Sequence, residues 1–367
     1  MADQRMHKLA EILVHYSTDV KKGDWVRIIA DVGALPLVTE VTRLVVRAGG
    51  NPSIQLTADD LDEAVLGEAS TEQLEWIAPT DVIFNDQIDV SIRIAAASNT
   101  RALTGIDPAK QRIQQNARRD LRLRSLQRAA EGRYRWVLTQ FPCPAYAQDA
   151  DMSLREYEDF VYAATFADQA DPVACWRGIH ETQQRLVEWL RGKKYVQVRG
   201  PNIDMTLSID GRTFVNSDGR RNMPSGEIFT GPVEESVNGW VKFSYPAIRG
   251  GHEVEGVELE FKDGRVAQAR ARKNEAYLLS QLDSDAGARY LGEFAVGTNY
   301  GIQRFTKSIL YDEKIGGTLH MAVGAGYPET GSQNKSSVHW DFICDMRQDS
   351  EIWVDGGLLY RNGQFQI

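Results

Sequence analysis

The sequence predicts two domains of different class. Residues 1–194 read as an α/β domain with a mostly parallel sheet, and residues 195–367 as a β-rich α+β domain. Three observations carry this. A chain of 367 residues is long for one hydrophobic core. In its first half, short apolar runs alternate with stretches of helical spacing, the pattern of βα units. From Tyr195 onward the apolar period changes to two.

Residues 4–17 place Leu9, Ile12, Leu13 and Tyr16 at helical spacing. Trp25–Ala30 is a compact apolar run, hence a buried strand. The helix after it carries Leu37, Val41, Leu44, Val45 and Ala48 on one face and closes at Gly49 and Gly50. Ile54–Leu56, Val82–Phe84, Asp89–Ala95 and Arg135–Thr139 read as further strands. Residues 108–131 form the longest helical candidate, and it is basic, with Lys110, Arg112, Arg118, Arg119, Arg122, Arg124 and Arg128. Aromatic residues that could stack bases are missing from it, so it reads as a solvated face or a contact between protomers. Helices are expected at 153–166 and 172–192, the second with Ile179, Leu186 and Leu190 apolar.

Beyond Lys194, Val196 and Val198, then Met205, Leu207 and Ile209, alternate with polar residues. Val257, Leu259 and Phe261 lead into Asp263–Gly264, a hairpin signal. A helix at about 274–290 is expected to deliver Glu293 just beyond its end.

Composition excludes several classes. Hydrophobic content of 42% and charged content of 25% are ordinary for a soluble globular protein. No run approaches the 18 or so apolar residues of a membrane span, and the start, Met1–Lys8, lacks the apolar core of a signal peptide. The three cysteines, Cys143, Cys175 and Cys344, are scattered without metal-type spacing and read as reduced, which points to the cytoplasm. A net charge of −9 argues against nucleic acid or anionic membrane as partner and suits a cationic ligand such as a protonated amine. Gly33–Ala34 is no phosphate loop, and no nucleotide-binding motif is present.

The stretch from Glu293 to Asp341 carries the chemistry. Two of the chain's six histidines, His320 and His339, fall within it. If Val338–Ile343 is a strand, His339 and Asp341 share one face and Trp340 takes the other. His320, in another short β-like run, can aim a second imidazole at the same point. Two imidazoles with the carboxylates Glu227, Glu293 and Asp341 exceed the three protein ligands of a catalytic zinc. The surplus suggests two divalent ions bridged by a carboxylate.

Asn222–Thr230, Leu291–Glu293, Leu319–Gly324, Tyr327–Pro328 and His339–Asp341 resemble the motifs of the aminopeptidase T/S family, the thermophilic-type dinuclear metallo-aminopeptidases. The motifs cover about the C-terminal third of the chain, and this chain is somewhat shorter than typical members. The resemblance implies six metal-site positions: Glu227, Glu293 as bridging carboxylate, His320, Tyr327, His339 and Asp341. It implies two divalent ions per chain (Zn, Co, Mn or Mg) and peptide substrates with a free N-terminus. The reaction implied is hydrolysis of the first peptide bond by a metal-bridging hydroxide. A carboxylate of the set is expected to shuttle the proton to the leaving amine, with Glu227 the candidate among them, and the resemblance puts Tyr327 next to the metals, where it would donate to the oxyanion or touch a metal. A cytoplasmic homodimer is implied too, with the α/β domain controlling access.

Two other functions are weighed against it. A mononuclear non-haem Fe(II) ring-cleaving dioxygenase of the related fold would use His320, His339 and Asp341 as its triad, leaving Glu227 and Glu293 without a role. A non-catalytic protein with a degenerate metal site would not keep all six positions. His252–Glu253, after Gly250–Gly251, reads as an exposed turn rather than a general-base pair. His7, His15 and His180 read as structural.

Overall fold

The protein is described here by a computed structural model covering residues 3–367; Met1 and Ala2, the first residues of the start read above, lie outside the described residues. The chain forms two compact units, one of Met1–Cys175 with Gly219–Pro224 and one of Trp176–Asp218 with Ser225–Ile367.

The first unit is built on a five-stranded parallel sheet. Its order is Asn51–Thr57, Trp25–Asp31, Val90–Ala95, Arg135–Gln140 and the short Asn222–Met223. Val26, Ile28, Val90, Ile92 and Val137 are buried in it, while alternate residues such as Arg27, Arg93 and Trp136 are more exposed. Gln4–Glu11 is helical and continues as a π-helical turn over Ile12–Ser17, and Leu35–Arg47 packs its apolar stripe inward.

Three expectations are corrected. Val82–Phe84 lies in a helix, Pro79–Gln87, because Pro79 at its first turn presets helical φ and Asp81 suits the helix start. The basic stretch is two helices, Pro108–Ala117 and Arg119–Ala130. They break at Arg118 (φ −90°, ψ 3°), whose guanidinium donates to the carbonyls of Leu74 and Gln114. The longest helix is Pro172–Leu190. In the second unit the helix after Asn274 is short, Glu275–Leu282, so Glu293 does not sit at a helix end.

Among the described residues the second unit holds three antiparallel sheets, one of them the two-stranded pair Ala247–Arg249 and His252–Val254. The eight-stranded sheet contains Tyr195–Gly200, Ile203–Ser208 and the Glu258–Lys262/Arg265–Arg270 hairpin. That hairpin turns on Asp263 and Gly264, both at positive φ (49° and 83°), as a tight two-residue turn requires. The five-stranded sheet runs His339–Asp345, Thr318–Gly324, Leu291–Gly297, Glu227–Thr230, Val215–Ser217. One hydrophobic cluster joins Val196, Val198, Met205 and Leu259 of the eight-stranded sheet to Ile228, Phe294, Val296, Met321, Val323, Trp340 and Phe342 of the five-stranded one.

Candidate metal centre

The period of two explains why this sheet can carry a polar site. Ile228, Phe294, Val296, Leu319, Met321, Val323, Trp340 and Phe342 point into the core, so the residues between them point the other way. Register then aligns the second set across the strands. Asp341 pairs with Ala322, and Ala322 with Glu293; His320 pairs with Ala295, His339 with Gly324, and Glu227 with Gly297. The functional side chains therefore share one face, separated by alanines and glycines that leave room between them. The strand order places Glu227, Glu293, His320, His339 and Asp341 together as the sequence anticipates, with Glu293 inside a strand rather than beyond a helix.

Glu227, Glu293 and His320 are buried, and His339 and Asp341 lie at the open side. Glu293 spans the two imidazoles: its Oε1 is 3.7 Å from His320 Nε2 and its Oε2 is 3.2 Å from His339 Nε2. Asp341 Oδ1 is 3.6 Å from His339 Nε2, and Glu227 Oε2 is 3.4 Å from His320 Nε2. His339 Nδ1 is 2.8 Å from the Ala325 carbonyl, which can only accept. That bond holds Nδ1 as a donor and turns Nε2 toward the centre, where it faces Glu293 as an N–H while the ring is protonated and can ligate once that proton is lost. Tyr327 stacks edge-on against His339 (5.1 Å between centroids) and packs on Phe229.

A fourth carboxylate joins the centre, and sequence reasoning missed it. Glu313, just past the short helix Ile309–Asp312, offers an oxygen to a group with His320 and Asp341 whose ligand atoms lie within 4.8 Å of one another. A second such group is Glu293, His339 and Asp341, so Asp341 belongs to both. The neighbouring Lys314 is fully buried. It bonds to Glu313, and its Nζ stands 3.8 Å from Glu227 Oε1. This segment can lie against the sheet because Gly297 has no side chain: a Cβ there would meet the Ile315 carbonyl oxygen at 2.2 Å. The only sequence signal was an Asp–Glu–Lys run before the Gly316–Gly317 turn, and it says nothing of where that run packs.

Burial and neighbouring charge shift the protons of Glu227, Glu293, His320, His339, Lys314 and Tyr327. Burial pushes Glu227 up, to about 7, although Lys314 pulls it down. Burial would raise Glu293 as well, but hydrogen bonds from His320 and His339 outweigh it and hold it at about 2. The imidazoles answer in the opposite sense. Burial would lower both, yet Glu293 and Glu227 raise His320 to about 9, while Asp341 and Glu293 raise His339 to about 10. Burial would also lower Lys314, but Glu227 and Glu313 outweigh it, so the ammonium stays charged. Burial and the nearby Glu293 and Asp341 push the Tyr327 hydroxyl well up, which keeps it a donor.

Divalent ions fit this donor set. Glu227 Oε2, Asp341 Oδ1 and one ring nitrogen of His320 are buried without a hydrogen-bond partner, a cost of about 1–3 kcal/mol each when nothing answers it. Oxygen and imidazole donors suit Zn, Co and Mn.

Comparison with known proteins agrees. The sequence pattern of the thermophilic metalloprotease family (M29) matches residues 2–365. The chain belongs to that family. This M29 metalloprotease is thus a hydrolase of peptide bonds that depends on divalent metal. It is 28% identical to aminopeptidase T of Thermus thermophilus, over 98% of this chain and 96% of that protein. It is 27% identical to aminopeptidase 2 of Geobacillus stearothermophilus (96% and 94%) and 26% identical to aminopeptidase AmpS of Bacillus subtilis (99% and 98%). Its fold matches that of wild-type AmpT from Thermus thermophilus with a TM-score of 0.85, covering 99% of both chains at 24% identity.

The remaining candidates fall elsewhere. His252 is exposed and stacks on Tyr277, while Glu253 is paired with Lys273 and Lys307. His7 pairs with Glu40 and His180 with Asp218. Among the described residues no helix is long and apolar enough to cross a membrane.

Proposed function

We propose that this M29 metalloprotease is a metal-dependent aminopeptidase that releases the first residue of peptides with two divalent ions, Zn, Co, Mn or Mg. The observation that carries the two-ion reading is the pair of three-donor groups sharing Asp341, with Glu293 directing one oxygen toward each imidazole. The names of the curated relatives support the exopeptidase reading. Bound ions would supply Lewis acidity and bring the pKa of a water down toward about 7.

The chain's own residues do the rest. Glu293, His339 and Asp341 would hold one ion, and Glu313, His320 and the shared Asp341, with Glu227 beside them, would hold the other. Burial raises Glu227 to about 7, which suits accepting a proton and returning it to the leaving amine. The Tyr327 hydroxyl, kept protonated, donates to the oxygen on which charge develops. A cavity of about 250 Å³ beside His339 and Asp341, lined by Ile248, Phe305, Ile309 and Ile343 together with Arg249, Lys307 and Asp312, would receive the first side chain.

In this reading the enzyme is a cytoplasmic homodimer, and residues 1–194 govern access and contact between protomers. Three free cysteines suit a reducing compartment. The iron dioxygenase alternative finds no support: three glutamates around the two imidazoles are more oxygen than a two-His, one-carboxylate triad uses.

The test is hydrolysis of leucine anilide by metal-stripped protein before and after adding Zn²⁺, Co²⁺ or Mn²⁺, with N-acetyl-leucine anilide alongside. Activity should need both the metal and the free amine. Equal cleavage of the acetylated substrate would refute the aminopeptidase reading.

A further inference from the structure

Four carboxylates, Glu227, Glu293, Glu313 and Asp341, converge on the centre, and their charges could be balanced by two divalent ions alone. The chain nevertheless brings a fixed cation of its own. Lys314 has a wholly buried side chain, in contact with Glu313 and 3.8 Å from Glu227. It cannot easily leave. Its backbone N–H donates to the Tyr311 carbonyl, its carbonyl accepts from Asn299 N–H, and Gly297 packs directly beneath the segment. A buried lysine needs its anionic partners, and an ion entering between Glu227, Glu313 and His320 would compete for them while being repelled by the ammonium. On the other side the surroundings differ. Among the described residues the ion-pair partners of Glu293 and Asp341 are imidazoles, and His339 is already oriented by the Ala325 carbonyl.

We propose that Lys314 makes the two metal positions unequal. The position of Glu293, His339 and Asp341 holds its ion tightly, and that of Glu313, His320 and the shared Asp341, beside Glu227, binds weakly and exchanges, because a lysine ammonium already neutralises part of the charge of Glu313 and Glu227. The inference rests on the two-ion reading above.

Calorimetric titration of metal-stripped protein with Zn²⁺ tests it, with metal content measured after dialysis. The wild-type chain should show two separate steps, the second roughly 10- to 100-fold weaker, and retain about one ion on dialysis. Lys314→Met, which keeps the length and apolar stem, should tighten the second step toward the first and retain about two ions. Two equal steps in the wild type would overturn the role of Lys314 and leave the two-ion reading standing. A single ion in both proteins would overturn the two-ion reading and this inference together. If Lys314→Met fails to fold by circular dichroism, stepwise Co²⁺ absorption of the wild type decides alone: two resolved spectral changes support the inference, and one concerted change refutes it.

Discussion

Two of the groups of acid and imidazole in the second unit differ sharply in what surrounds them. On the strand His252–Val254, His252 is exposed against the ring of Tyr277, and Glu253 is answered by Lys273 at 2.9 Å and Lys307 at 3.7 Å. On the sheet of Glu293, His320 and His339, the same residue types are buried, and several of their atoms have no hydrogen-bond partner. Adjacent acid and imidazole in a sequence do not make a metal site. Burial that withholds ordinary partners favours one, because a cation would remove the cost of stranding those charges.

The comparison can be broken most forcefully at Glu293. Glu293→Gln removes the carboxylate that spans both imidazoles, and should lower kcat/KM by on the order of 10³-fold while leaving circular dichroism unchanged. Retention of activity within tenfold would show that the buried group is not the reacting centre.

A smaller effect is expected where the loop before the His339 strand is anchored. Partial burial would raise the Asp285 carboxyl, but hydrogen bonds from Ser337, Ser336 and Gly287 outweigh it and hold it below 3.8. A depressed carboxyl contributes stability that is present above its unfolded value and is lost as pH falls through the folded one. Asp285→Asn should thus cost about 1–2 kcal/mol in urea unfolding near neutral pH. The gap from wild type should close as pH falls through 3.8 and below. A gap independent of pH would assign the loss to packing instead.

The smallest effect belongs to the exposed group. The double substitution His252→Gln, Glu253→Gln should change kcat/KM by less than about twofold, as solvated positions away from special features do. A larger loss would place that strand in the reaction and blur the contrast.

Much of the centre was legible before any coordinates. Alternation along Val338–Ile343 put His339 and Asp341 on one face, and the motifs around Glu227, Glu293 and His320 resembled a known set. The parallel sheet of the first unit was equally visible, because βα units repeat their punctuation locally. Val82–Phe84 misled because three apolar residues fit strand and helix alike; Pro79 decided for the helix. The basic run looked like one helix because composition does not reveal the turn at Arg118.

By itself, then, the sequence determined which residue types could bind metal and put His320, His339 and Asp341 on strands, since period and motif are local properties of a chain; the strand of Glu293 was not among them. Only the tertiary structure decided that Glu313 joins His320 and Asp341, and that Lys314 is buried beside Glu227. Those two come from a loop whose course is set by the absence of a side chain at Gly297 and the close approach of the Ile315 carbonyl, a contact between segments far apart in the chain. No spacing rule encodes such a contact, because it depends on how two surfaces fit.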